Sequence, residues 1–243
     1  VTVGSDTNEN AHIWDLQTGS LIQEINTNDT TRRSPVNITI SPNNRLIAIT
    51  EYDGSVWDFE NNRLLYNSLD HGFYIYNFLF STDSSLILTT SPNGDGDSDD
   101  TIHLWDAENG KLIYTLKEST RNIVFNHDSS QFAFLSHNPE IGSFVSIRET
   151  KTGTEIFRIV ASNDDNYLNM GISWISFSPV ANILLVALDG NIQLWDTNTF
   201  TLIHTVNITP DDYPKTANFN NEGNLILLEM QDGTIRLFGV PTP

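Results

Sequence analysis

The sequence has no cysteine and few bases: 12 Lys and Arg stand against 31 Asp and Glu in 243 residues, a formal net charge of −19. Without thiols there is no disulfide, no thiolate nucleophile and no Cys-ligated zinc or iron–sulfur centre. So negative a balance argues against a partner that is nucleic acid or an anionic membrane surface. No run of about 18 apolar residues occurs, so no hydrophobic membrane-spanning helix is predicted. No stretch shows a convincing helical pattern. G-x-S-x-G, H-E-x-x-H and Walker-type Gly-Lys-Ser/Thr motifs are all missing, and the six histidines are scattered. Nothing calls for a cofactor, and no catalytic residue is assigned. Apolar residues still make up 38% of the chain, enough for a sizeable core.

What is present is a repeat. Blocks beginning HIWDLQTGSLIQEI at His12, HLWDAENGKLIYTL at His103 and QLWDTNTFTLIHTV at Gln193 share one plan, and SVWDFENNRLLYNSL from Ser55 is a looser copy. SIRETKTGTEIFRI from Ser146 and RLFGVPTP from Arg236 lack the Trp. The anchors Trp14, Trp57, Trp105, Arg148, Trp195 and Phe238 are spaced by 43, 48, 43, 47 and 43 residues. Between them the content also recurs. A strand closing on Ser or Asn (VNITIS, NFLFS, NIVFN, WISFS, TANFN) runs into a turn of Pro, Asn, Asp and Ser. A nearly unbroken apolar run follows (LIAIT, LILTT, FAFLS, ILLVAL, LILLEM), which predicts a strand buried on both faces. Asp53-Gly54, Asp189-Gly190 and Asp232-Gly233 then supply hairpin turns into the anchor strand.

Each unit of about 45 residues therefore reads as four antiparallel strands, a–b–c–d. A sheet with two apolar faces must stack on its neighbours, and stacking twisted four-stranded sheets about an axis makes a β-propeller. The expected fold class is all-β, with six units near 1–26, 34–69, 73–117, 121–160, 171–207 and 214–243 in a single domain. The period, the Trp-Asp ends of strand c and the Asp-Gly turns resemble the WD-repeat β-propeller family over essentially the whole chain. The first unit lacks strand a and the last lacks strand d, 22 strands in all, so either the blades are truncated at both ends of a longer protein with further domains, which is the expectation, or the ring closes imperfectly.

The pairs Trp14–Asp15, Trp57–Asp58, Trp105–Asp106 and Trp195–Asp196 are expected to be structural: Trp packs between blades and Asp caps the c–d turn. The resemblance implies a buried network of Trp, a Ser or Thr of strand b, a His before strand a, and a turn Asp. No Gly-His dipeptide precedes a strand a; Asp70-His71-Gly72 has the order reversed. The network should thus be incomplete everywhere, leaving Asp53, Asp99, Asp189 or Asp232 to cap local backbone. Asn37, Asn77 and Asn122 hold equivalent places on strands a and are expected to bond between blades. Trp174 is expected near the channel.

The resemblance implies a non-catalytic scaffold or sensor that binds proteins. Strand alternation puts b–c and d–a loops at one end, where acids gather: Asp95, Asp97, Asp99, Asp100, Asp164, Asp165, Asp211 and Asp212, with Arg32 and Arg33 among the few bases and Tyr167 and Tyr213 as aromatic anchors. A basic protein or peptide is the expected partner there. The alternative is a propeller enzyme, or a binder of small ligands or Ca²⁺. Asp95, Asp97 and Asp99 alternate like the start of a calcium loop, but Asp100 and Asp106 stand where that loop needs Gly and Glu.

Overall fold

A computed structural model describes residues 2–5, 10–25, 37–50, 54–69, 75–91, 100–118, 120, 122–138, 140–161, 171–188, 190–208 and 214–240, with residues 2–5, 37 and 68 described as backbone only. Among these residues there are 22 strands and no helix. The first sheet is β1 (Thr2–Ser5), β2 (Ala11–Trp14) and β3 (Leu21–Ile25). The second is β4 (Asn37–Ile40), β5 (Leu46–Thr50), β6 (Gly54–Asp58) and β7 (Arg63–Leu69). The third is β8 (Asn77–Phe80), β9 (Leu86–Ser91), β10 (Thr101–Asp106) and β11 (Leu112–Lys117). The fourth is β12 (Asn122–Phe125), β13 (Gln131–Asn138), β14 (Gly142–Glu149) and β15 (Glu155–Val160). The fifth is β16 (Ile172–Phe177), β17 (Ile183–Leu188), β18 (Asn191–Asp196) and β19 (Thr201–Asn207). The sixth is β20 (Pro214–Phe219), β21 (Leu225–Met230) and β22 (Ile235–Gly239). Every sheet is antiparallel, its strands hydrogen-bonded in chain order. Among the described residues the first and sixth sheets have three strands each and the other four have four.

The chain forms two compact units, residues 1–119 and 120–243. In the first, Ala11, Ile13 and Ile25 of sheet one meet Ile47, Ile49 and Trp57 of sheet two. Ala48, Val56 and Leu69 of sheet two in turn meet Ile87 and Trp105 of sheet three. In the second unit, Val145, Ile147 and Ile159 of sheet four pack on Ile175, Leu184 and Val186 of sheet five. Leu185, Ala187, Ile192 and Leu194 of sheet five pack on Ile226, Leu228 and Met230 of sheet six. Residues of alternate parity on one strand thus serve opposite neighbours, because successive side chains of a strand point to opposite faces. This is the blade-on-blade stacking of a β-propeller.

Strand b is buried on both faces in sheets two to five, as its apolar runs predict. In sheet six β21 alternates instead, with Leu225 and Leu227 exposed. No described sheet of its unit covers that face.

A local irregularity recurs at the anchors. In five sheets the pairing of strands c and d slips by one residue immediately before the anchor, at Ile13/Trp14, Val56/Trp57, Leu104/Trp105, Ile147/Arg148 and Leu194/Trp195. The unpaired extra residue lies on strand d, as at Ile22, Leu65 and Ile113. Such a bulge sharpens the twist of an outer strand. It leaves the Leu-Ile doublets Leu21–Ile22, Leu112–Ile113 and Leu202–Ile203 exposed.

Candidate functional site

The anchors explain why one end of each blade is firmly built. Trp57 and Trp105 are buried, and Trp195 is partly buried; each faces the preceding sheet. Trp14 is 37% exposed, because no described sheet of its unit covers that side. The indole N–H groups find different acceptors. Trp105 Nε1 donates to Thr89 Oγ1 at 2.7 Å, a bond between strands c and b. Trp57 and Trp195 donate to the side chain two residues earlier on their own strand, Ser55 at 3.1 Å and Gln193 at 2.9 Å. Arg148 does the same with Ser146 at 3.2 Å. Where that position is His, it packs edge-on: His103 against Trp105 and His12 against Trp14, with ring centroids 5.2 and 6.0 Å apart.

Arg148 replaces the expected tryptophan without leaving its charge uncompensated. It donates to the Gly153 carbonyl at 2.9 Å, stands over the Phe134 ring and lies 3.8 Å from Glu155. Glu155 also accepts from Arg158 at 2.7 Å and from Ser146 at 2.6 Å. Burial by itself would raise the Glu155 carboxyl, but the Arg158 and Ser146 hydrogen bonds, with the Arg charges, hold it below the usual range.

The Asp after each Trp caps the c–d turn, as expected. Asp15 accepts from the Gln17 and Thr18 N–H groups, Asp58 from Asn61, Asp106 from Glu108 and Asn109, and Asp196 from Asn198 and Thr199. Five residues after the anchor the chain enters the left-handed region in all four of these turns, at Gly19, Asn62, Gly110 and Phe200, and again at Gly153 in the turn after Arg148. The a–b turns repeat a second device. A Ser or Asn side chain (Ser41, Ser81, Asn126, Asn220) accepts the first N–H of strand b. The two turn types are then tied together: Phe59 N–H donates to the Arg45 carbonyl, Ala107 to Ser85, Thr150 to Ser130 and Thr197 to Asn182, at 2.8–2.9 Å.

Neighbouring blades interlock at this same end. Tyr66 of sheet two donates its hydroxyl to the Ala107 carbonyl of sheet three at 2.7 Å, and Asn43 N–H donates to Ser84 Oγ at 3.1 Å. Burial pushes the Tyr66 phenol above its ordinary range, and the Asp106 charge adds to this. Phe157 of sheet four stacks on Phe200 of sheet five at 4.9 Å, and Asn126 donates to Asn182 at 3.2 Å. Tyr66 and Phe157 both stand nine residues after their anchors. Repeat position, rather than any motif, is the signal that could have found them.

Between sheets two and three, at the end formed by these turns, lies a cleft of about 480 Å³. Its floor carries Leu46 and Leu65. Asn43, Arg45, Asp58 and Arg63 line the side of sheet two; Asp83, Ser84, Ser85, Asp106 and Glu108 line the side of sheet three. The sequence reading missed this cleft, because its walls come from four separate segments. Asp58 and Asp106 were named as turn caps and also line it.

Among the acidic-end candidates, Asp100 is described and is partly buried at the start of strand c in sheet three. Arg32, Arg33, Asp95, Asp97, Asp99, Asp164, Asp165, Tyr167, Asp211, Asp212 and Tyr213 lie outside the described residues, as do Asp53 and Asp189. Asp232 accepts from Thr234 N–H at 2.8 Å and so caps its own turn. Asn77 donates to Thr90 of its own sheet at 2.8 Å rather than between blades, and Trp174 packs against the core shared by sheets five and six. Among the described residues no group of three or more His, Asp or Glu is placed to hold a metal ion.

Comparison with known proteins places this architecture. The family model described as "WD domain, G-beta repeat" matches residues 63–106, from strand d of sheet two through strand c of sheet three. COMPASS component SWD3 of Saccharomyces cerevisiae is 25% identical over 174 residues, covering 70% of this chain and 53% of that protein. Apoptotic protease-activating factor 1 of Danio rerio is 22% identical over 234 residues, covering 93% of this chain and 17% of that protein. The chain thus spans about half of the first relative and about a sixth of the second.

Proposed function

We propose that this chain is a WD-repeat protein-interaction scaffold, and that its b–c and d–a loop end takes a basic protein or peptide partner without catalysing a reaction. One observation supports this most: antiparallel sheets running a–b–c–d put those loops at a common end of each blade, and the acids of a chain with net charge −19 concentrate in them. Similarity to a component of an assembly, COMPASS, agrees with a scaffold role. A field of one sign raises the rate of encounter with an oppositely charged partner more than it raises affinity.

The test uses a Lys-rich synthetic peptide. Its association should slow steeply as salt rises towards about 0.15 M, where screening acts over about 8 Å. Replacing Asp97, Asp99 and Asp100 together with Asn should lower the on-rate and leave the melting temperature unchanged. An on-rate insensitive to both salt and the triple change overturns the reading.

A further inference from the structure

We propose that the cleft between sheets two and three is a separate docking site for an extended protein segment in which a basic and an acidic side chain flank an aliphatic one. The inference stands on the geometry of the opposite end of the blades and does not depend on the loop-end reading.

The argument begins with the two walls. The side of sheet two carries Arg45, at the entry to β5, and Arg63, the first residue of β7. Among the described residues neither guanidinium forms an ion pair, although both lie close enough to Asp58 to help lower its carboxyl, after the larger effect of the Asn61 side chain and N–H. The side of sheet three carries Asp83, Asp106 and Glu108 with no base among them. One wall is therefore positive apart from Asp58, and the other is wholly negative. Both walls line the same cleft, and among the described residues no ion pair joins them. A partner that satisfies both walls must carry both signs.

The floor and the backbone add to this. Leu46 and Leu65 are partly buried, so each keeps apolar surface towards the cleft. That surface suits the methylene stem of a long basic side chain, or a Leu or Val between the two charges. The walls are held before any ligand arrives. Ala107 N–H bonds Ser85, the Tyr66 hydroxyl bonds Ala107, and Asn43 N–H bonds Ser84. The charged groups thus project from backbone already tied within and between the sheets, which lowers the ordering cost of binding.

The experiment is titration of the isotope-labelled 243-residue chain, followed by backbone amide shifts. The probe is the blocked pentapeptide Ser-Arg-Leu-Glu-Ser, with Ser-Arg-Leu-Arg-Ser and Ser-Glu-Leu-Glu-Ser as controls. The expected result is saturable shifts confined to residues 43–46, 63–65, 84–86 and 106–108, with the mixed-charge peptide binding tighter than either control. Arg63→Gln and Glu108→Gln should each weaken it about two- to fivefold, the range for one solvent-accessible charge pair. Neither side chain caps a turn, so both variants should fold. The Asp97, Asp99 and Asp100 triple change should leave this binding unaltered. Absence of saturable shifts in the cleft overturns the proposal, as does equal binding of the all-basic peptide. Sensitivity to the triple change but not to Arg63→Gln or Glu108→Gln would assign the peptide to the loop end and would also overturn it.

Discussion

The Tyr66 ring occupies the space that a Cβ on Gly110 would need. Gly110 sits at φ +70°, and its ideal Cβ would fall 2.6 Å from the Tyr66 ring. Gly19 has the same repeat position and φ +68°, with nothing within 4 Å of its Cβ position. The two glycines thus share one backbone demand and differ in one contact.

Gly19→Ala should therefore cost only the left-handed strain, about 1–2 kcal/mol. Gly110→Ala should cost that and roughly 1 kcal/mol or more besides, because the Tyr66 ring must shift in a packed interface. Urea unfolding of the two variants, with unchanged m-values, measures the difference. Equal costs would show that the ring gives way freely.

Tyr66→Phe keeps the ring over Gly110 and removes the bond to the Ala107 carbonyl. The expected loss is about 0.5–1.5 kcal/mol, the net contribution of one hydrogen bond. Thermal unfolding compared with the parent chain checks it.

Thr89→Val keeps the shape of strand b and removes the acceptor of the Trp105 indole. The indole is buried, so the expected cost is about 1–3 kcal/mol, the penalty for taking a hydrogen-bond partner from a buried polar group. Thr89→Ser retains the hydroxyl and should recover most of it.

The carboxyls of Asp15, Asp58, Asp83, Asp128 and Asp232 are all held below their ordinary value of 3.8. Side-chain hydrogen bonds come first for four of them; for Asp15 the Thr18 and Gln17 backbone N–H groups come first. Folded values below unfolded ones mean that the folded state binds protons less readily. These carboxylates contribute stability above the ordinary carboxylate range, and they lose it as pH falls through their depressed folded values. Melting temperature should be flat from neutral pH down to about 5 and then fall progressively below about 4. Glu155→Gln should lower the neutral-pH plateau, since it takes the Glu155 carboxylate away from two arginines, Arg158 and the little-exposed Arg148.

The strand plan was legible in the residues because a strand's faces alternate and the turns need particular side chains. Anchor spacing, Ser and Asn before strand b, and Asp after Trp are local chemistry, and each appears in the structure where the repeat places it. The Arg148 substitution was visible as a missing Trp, but its compensation was not. Glu155 lies on strand d, and only the c–d pairing brings it to Arg148. The candidate loop end was legible as charge alone.

The sequence by itself determined the strands, their order, the turns that join them and the sign of the surface, because these depend on residues within one repeat. Only the tertiary structure decided which side chains meet across repeats. Tyr66 and Gly110, Phe157 and Phe200, and the opposed walls of the cleft are 43 or more residues apart along the chain or come from several segments. No local pattern encodes their separation. Their meeting depends on the face-to-face stacking of twisted sheets, and the burial of apolar faces drives that stacking whatever the polar residues at the sheet ends happen to be.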